Sequence, residues 1–258
     1  MMKFTFPGPG SSYSLHNHST FSDGASTLEE MCIAGKSSNL RVLGISDHWC
    51  VPICEGTDWA EWCMKHENLD EYVETLLKLK SKYEDENFSL KIGLEVEFYP
   101  ENIDSVLKNL QKYPIDYLIG SVHFTGTFSV DHDIADWDGL SQEEMDDICE
   151  KYWQQLEQAA GCEAFSFIGH LDLPKKYNLI DNTKYYPHAE KVLDVLQRNN
   201  GAMEINTAGW FKNCAEQYPA ASIIQSALKR KIPMVISADA HHHSHITRNF
   251  DKASALIT

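Results

Sequence analysis

Seven short apolar or β-rich runs, at about 13–18, 41–47, 89–98, 117–124, 166–173, 202–207 and 233–239, alternate with segments of helical spacing along the 258-residue chain. That alternation admits few architectures. Strands separated by helices pair in parallel, so the chain reads as α/β with a mainly parallel sheet, open or closed into a barrel. Two S/T-x-x-E patterns, Thr27-Leu28-Glu29-Glu30 and Ser141-Gln142-Glu143-Glu144, are capping boxes that open helices. Leu69, Tyr72, Val73, Leu76, Leu77 and Tyr83 recur at helical spacing and predict one buried helix face. Pro187 predicts the first turn of a helix reaching about Gln197, with Gly201 as its stop, and Pro219 opens another running to about Arg230. With no Pro/Ser-rich linker, residues 1–258 are expected to form a single domain. The stretch at about 125–140, carrying Asp131-His132-Asp133, reads as an irregular active-site loop insertion.

Each run delivers polar or ionisable side chains at or near its carboxyl end. These are His16-Asn17-His18, Ser46-Asp47-His48, Glu95-Val96-Glu97, Ser121-Val122-His123, His170-Leu171-Asp172, Glu204-Ile205-Asn206 and Asp239-Ala240-His241. Active sites of parallel α/β folds are built at that end. Taken singly, a histidine there is usually a hydrogen-bonded structural residue. Taken together, imidazoles and carboxylates converging from several strands would desolvate and repel one another unless cations compensate them. The alternation of a strand puts both imidazoles of His-x-His on one face, where they can chelate one ion. Mixed nitrogen and oxygen donors suit zinc, manganese or iron.

Composition narrows the partners. Lys and Arg total 22 against 38 Asp and Glu, a net charge of −16 that argues against long nucleic acid or an anionic membrane surface. No apolar run is long enough to span a bilayer. Met1 to Pro7 does not read as a signal peptide, and the seven scattered cysteines lack C-x-x-C, so reduced thiols in a cytoplasmic protein are expected. Cys50, Cys54, Cys63 and His66 can be drawn as a zinc site, but their spacing is not a familiar one. His66 and His188 read as structural or exposed, and Trp59, Trp62 and Trp153 as packing residues.

The strand-end motifs, with Phe21-Ser22-Asp23-Gly24 following the first, resemble those of the polymerase and histidinol phosphatase family of metal-dependent phosphoesterases over nearly the whole chain. That resemblance implies a distorted (β/α)7 barrel and two to three divalent metal ions. His16, His18, Glu95 and Asp239 would hold a first ion, with Glu95 bridging to a second held by His123 and His170. Asp23, His48 and His241 would hold the third. Asp at position 23 and the run Glu204-Ile205-Asn206-Thr207-Ala208-Gly209 point to the histidinol-phosphatase branch, and so to L-histidinol phosphate as substrate. A hydroxide shared by two ions would be the nucleophile. Asp239 or His243 would serve the leaving group, and Asp47, Glu97 and Asp172 are candidate acceptors for the outer nitrogens of the ligating histidines. Lys176 and Lys212 would contact phosphate, although relatives of this branch commonly carry arginines in these two regions and Phe211 stands at one expected arginine. Another small phosphate ester or a nucleotide is the alternative substrate. A non-catalytic metal-binding protein is the remote alternative, and the oligomeric state is not legible.

Overall fold

The structure, a computed structural model, describes residues 12–53 and 61–258. The strands are β1 (Tyr13–Ser14), β2 (Val42–Ile45), β3 (His48–Trp49), β4 (Ser89–Glu97), β5 (Tyr117–Ser121), β6 (Phe124–Thr125), β7 (Phe128–Ser129), β8 (Phe167–Ile168), β9 (Met203–Asn206) and β10 (Met234–Ser237). The helices are α1 (Leu28–Ser37), α2 (Leu69–Tyr83), α3 (Ile103–Leu110), α4 (Gln142–Ala160), α5 (Tyr186–Asn199), α6 (Ala221–Lys229) and α7 (Phe250–Ser254). All seven β-rich runs contain a strand. Seven strands follow one sheet order, β1-β2-β4-β5-β8-β9-β10, with β3 pairing β4 beside that path. A parallel bridge between Asn17 and Ala240 joins the chain beyond β1 to the chain beyond β10. It is made by His18 N donating to Ala240 O at 2.9 Å and Ala240 N donating to His16 O at 3.2 Å. The strand order thus returns to its start, the topology of a (β/α)7 barrel.

The chain divides into two compact units. One takes Met1–Val96, Glu101–Ile119 and Ser237–Phe250; the other takes Glu97–Pro100, Gly120–Ile236 and Asp251–Thr258. In the first, β1 pairs β2 and β2 pairs β4, all parallel. Tyr117, buried and donating to Leu15 O at 2.5 Å, lies over Gly44 and Gly93. A Cβ at Gly44 would sit 2.2 Å from the Tyr117 hydroxyl and one at Gly93 2.3 Å from the ring, so the phenol occupies the space these glycines leave. In the second unit β8 pairs β9 in parallel, and α4 buries Cys149, Tyr152, Trp153 and Leu156.

Both capping boxes form, with Thr27 and Ser141 accepting from Glu30 N and Glu144 N. Four expectations need correction. In α2 Leu79 is buried while Leu77 is 43% exposed, because Leu77 sits about 100° further round than Leu76, past the edge of the apolar stripe. The stop of α5 is Asn200, in the left-handed region at φ 50, and not Gly201; asparagine tolerates that conformation. Pro219 lies ahead of α6, whose N-cap is Ala220. Finally, 125–140 is not irregular throughout. β6 and β7 form an antiparallel hairpin turning at Gly126, and Asp133 caps a short 3-10 turn at Ile134–Trp137.

Cys54 and Trp59 lie outside the described residues, so the drawn cysteine site is not described as a whole. Within it His66 Nε2 lies 2.8 Å from Cys50 O. Trp153 is buried among packing residues, as expected. Cys32, Cys63, Cys149 and Cys214 carry free thiols, and no helix among the described residues is long and apolar enough to cross a membrane.

Candidate active site

In the first unit, seven of the nine candidate ligands come together. His16 and His18 flank Asn17, whose side chain is held by Gly44 O and Ser14 Oγ while its amide donates to Ser46 Oγ. Strand alternation then sends both imidazoles the other way, fully buried. The parallel register of β3 on β4 sets His48 opposite Glu95, and His48 Nδ1 lies 2.8 Å from Glu95 Oε2. The same oxygen is 3.1 Å from His16 Nε2 and 3.5 Å from His18 Nε2. Asp239, turned by a left-handed φ of 49 just beyond β10, brings Oδ1 to 3.1 Å from His18 Nε2 and 3.6 Å from His16 Nε2. That backbone region costs a non-glycine residue about 1–2 kcal/mol, and such strain clusters at functional sites.

Asp23 reaches the cluster from a turn that Asp47 fixes, through donation by Ser19 N, Ser19 Oγ, Ser22 N and Ser22 Oγ. Gly24 closes that turn, where a Cβ would lie 2.5 Å from His18 O. Asp23 Oδ2 is 3.2 Å from His241 Nε2, and its Oδ1 is 3.7 Å from His48 Nε2. The His18 ring stacks between those of His48 and His241, at 4.2 and 4.4 Å. Within this unit and among the described residues, His16, His18 and Glu95 form one group with ligand atoms all mutually within 4.8 Å, and His18, Asp23, His48 and His241 form another.

Electrostatics argue for a cation. Burial first, then neighbouring His48 and His241, lowers His18 to about 3, so it stays neutral and able to ligate. Burial opposes ionisation of Asp239, yet His16, His18 and His241 outweigh it and hold the carboxyl well below the usual range. Asp23 is likewise lowered against burial, by His48 and His241. His241, against burial, is raised to about 9 by Asp23 and Asp239. Two ionised carboxylates thus stand beside the neutral, fully buried His18, where a cation would offset them. His18 Nδ1 is buried with no hydrogen-bond partner. The donor set therefore fits divalent metal ions of the zinc, manganese or iron kind.

In the second unit, Glu97 organises His123. Its Oε2 lies 2.7 Å from His123 Nδ1, while Glu97 accepts from His123 N at 3.0 Å and from Phe124 N at 3.2 Å. The contact fixes the ring and leaves Nε2 as the nitrogen available to a metal. The His170 ring lies 4.9 Å from that of His123. Glu204 accepts from His170 N at 2.8 Å and from Asn206 Nδ2 at 3.1 Å. It is a positioning residue to which the sequence reading assigned no role, although the Glu-Ile-Asn run marks it.

Of the three expected imidazole acceptors, only Glu97 touches an imidazole. Asp47 is spent on the 19–22 turn, and Asp172 on Asn182 Nδ2, Ala220 N and Lys175 Nζ at 3.0, 2.8 and 3.0 Å. Burial raises both carboxyls despite these donors. His241 Nδ1 faces Asp239 O at 3.0 Å. His243 is fastened to Ser26, its amide and Nδ1 each 3.0 Å from Ser26 Oγ. Lys176 pairs with Asp131. Lys212 is exposed just past a 3-10 turn at Ala208–Phe211.

The PHP domain family model matches residues 14–208. The chain is 33% identical over 231 residues to the "Probable histidinol-phosphatase" of Deinococcus radiodurans, covering 88% of this chain and 85% of that protein. It is 24% identical over 248 residues to the "Histidinol-phosphatase" of Bacillus subtilis, covering 88% and 92%. The fold resembles a crystal structure from Listeria monocytogenes with a TM-score of 0.83 at 22% identity, over 93% and 99% of the two chains. It also resembles a Lactococcus lactis histidinol phosphate phosphatase complexed with Zn, L-histidinol and phosphate, with a TM-score of 0.79 at 21% identity over 96% and 92%. By its matched motifs and its relatives, the chain belongs to the PHP domain family.

Proposed function

We propose that this protein is a metal-dependent phosphomonoesterase that hydrolyses L-histidinol phosphate to L-histidinol and phosphate. The observation that carries the reading is the cluster of buried His16, His18 and Glu95 with the adjoining Asp239, in a PHP chain whose relatives bear the name histidinol-phosphatase. Divalent ions in such a site supply charge neutralisation of phosphoryl oxygens and activation of water. Two to three ions, of zinc, manganese or iron, suit the nine candidate ligands His16, His18, Asp23, His48, Glu95, His123, His170, Asp239 and His241. Glu97 and Asp239 O orient His123 and His241, and Asp47 positions Asp23.

For the leaving alkoxide, Asp239 or His243 would hold the proton, and Lys176 and Lys212 would receive phosphate as point charges. The zinc, L-histidinol and phosphate held by the Lactococcus lactis relative motivate the same assignment of substrate and metal here. Reduced cysteines and a small phosphorylated metabolite suit a cytoplasmic enzyme.

A panel of phosphate esters assayed with added Mn²⁺ or Zn²⁺ tests the assignment. The expected result is a kcat/KM for L-histidinol phosphate far above those for nucleotides, sugar phosphates and aryl phosphates. Equal rates across the panel would leave a generic phosphatase, and a higher value for another ester would replace the substrate.

A further inference from the structure

Lys176 does not project as a free cation. Its Nζ lies 3.1 Å from Asp131 Oδ2 and also donates to Asp131 O, to which the Tyr177 hydroxyl donates at 2.7 Å. The ammonium sits 5.3 Å from the Tyr177 ring centroid. Both partners are largely withdrawn from water, with side chains 16% and 22% exposed. The pair is placed beside the two candidate ligands of this unit. Val130 N donates to His123 O at 2.8 Å, which pins the end of the β6–β7 hairpin to His123 one residue before Asp131. Lys176 lies on the 3-10 turn at Leu173–Tyr177 that follows His170.

From this geometry we propose that Asp131 and Lys176 form an exchangeable ion pair that selects phosphate esters bearing an ammonium group. When such an ester binds, its phosphate draws Lys176 away and its ammonium takes the vacated place on the Asp131 carboxylate. Each charge keeps a partner. An ester with a neutral tail can draw off Lys176 only by leaving a half-buried carboxylate unpaired, a penalty that works as discrimination against it. Burial opposes ionisation of Asp131, yet Lys176, His123 and His170 hold it below the usual carboxylate range, so it carries its charge at neutral pH. The inference rests on the proposed function, in that L-histidinol phosphate carries both groups on one small molecule.

The test compares kcat/KM for L-histidinol phosphate with that for its analogue lacking the amine, in the wild type, Asp131→Asn and Lys176→Met. A charge-assisted hydrogen bond in a half-buried place corresponds to about tenfold or more in the ratio. The wild type should prefer the amine ester by at least that factor, and Asp131→Asn should abolish the preference. The asparagine keeps the main-chain carbonyl that ties the loop to Lys176 and Tyr177, so the loop should hold. Lys176→Met, which removes the rival cation, should raise the ratio while raising KM for both esters. Equal loss on both esters in Asp131→Asn, or an unchanged ratio in Lys176→Met, would overturn the exchange. If Asp131→Asn does not fold, the Lys176→Met ratio decides by itself. A wild type that hydrolyses the two esters alike also overturns it. Failure of the proposed function reads differently, as preference for an unrelated phosphate ester in the wild type.

Discussion

Glu97 shows how much of a candidate metal site lies behind its candidate ligands. It takes the Nδ1 side of His123 and two backbone amides, so removing its charge loosens both ring and strand end. Glu97→Gln should cost about 10–100-fold in metal affinity or kcat/KM, checked by metal titration and steady-state rates. Wild-type values would reduce Glu97 to a packing role. His241 yields a pH prediction. In the metal-free protein its pKa is raised to about 9, so at pH 7.5 its ring carries a proton that ligation must expel. Metal uptake should release that proton and tighten as pH rises towards 9. Calorimetry in two buffers of different ionisation enthalpy measures it; identical heats would contradict it. The donor types were legible in the sequence because His-x-His and its companions recur at strand ends. Their partners were not, because Asp47 and Asp172 are equally acidic yet go to backbone and lysine, a choice made by tertiary geometry alone.

At the scale of elements, β2 and β4 depend on what stands over their glycines. Gly44→Ala would drive a Cβ into the Tyr117 hydroxyl, and Gly93→Ala would drive one into its ring. Overpacking of this kind costs about 1–3 kcal/mol. Tyr117→Phe removes the hydroxyl and should therefore rescue Gly44→Ala much more than Gly93→Ala, as a double-mutant cycle in urea would show. Equal rescue would mean that the ring as a whole, and not the hydroxyl, sets the spacing. The strands, the capping boxes and most helices were readable from periodicity. Leu77, Gly201 and the 125–140 segment were misread for local reasons. Helical spacing tolerates an apolar residue at the edge of a stripe, asparagine can replace glycine in a left-handed cap, and a two-strand hairpin is too short to show an alternation.

For the whole molecule, the seven β-rich runs fixed the fold class, and the bridge from Asn17 to Ala240 that joins the sheet's ends lay in no local pattern. It pairs residues far apart in sequence, and it also carries the strand ends bearing His16, His18, Asp239 and His241. The net charge of −16 belongs to the chain without cations, and the carboxylates of the site are the part of that charge that divalent ions would answer. Hydrolysis should therefore depend on metal. Phosphate release from L-histidinol phosphate should be followed in chelator-stripped protein titrated with Mn²⁺ or Zn²⁺, beside folded His18→Ala treated alike. Negligible hydrolysis is expected in the stripped wild type, with recovery on adding metal and no comparable recovery in His18→Ala. Full activity in the stripped protein, or full recovery in His18→Ala, would contradict that dependence.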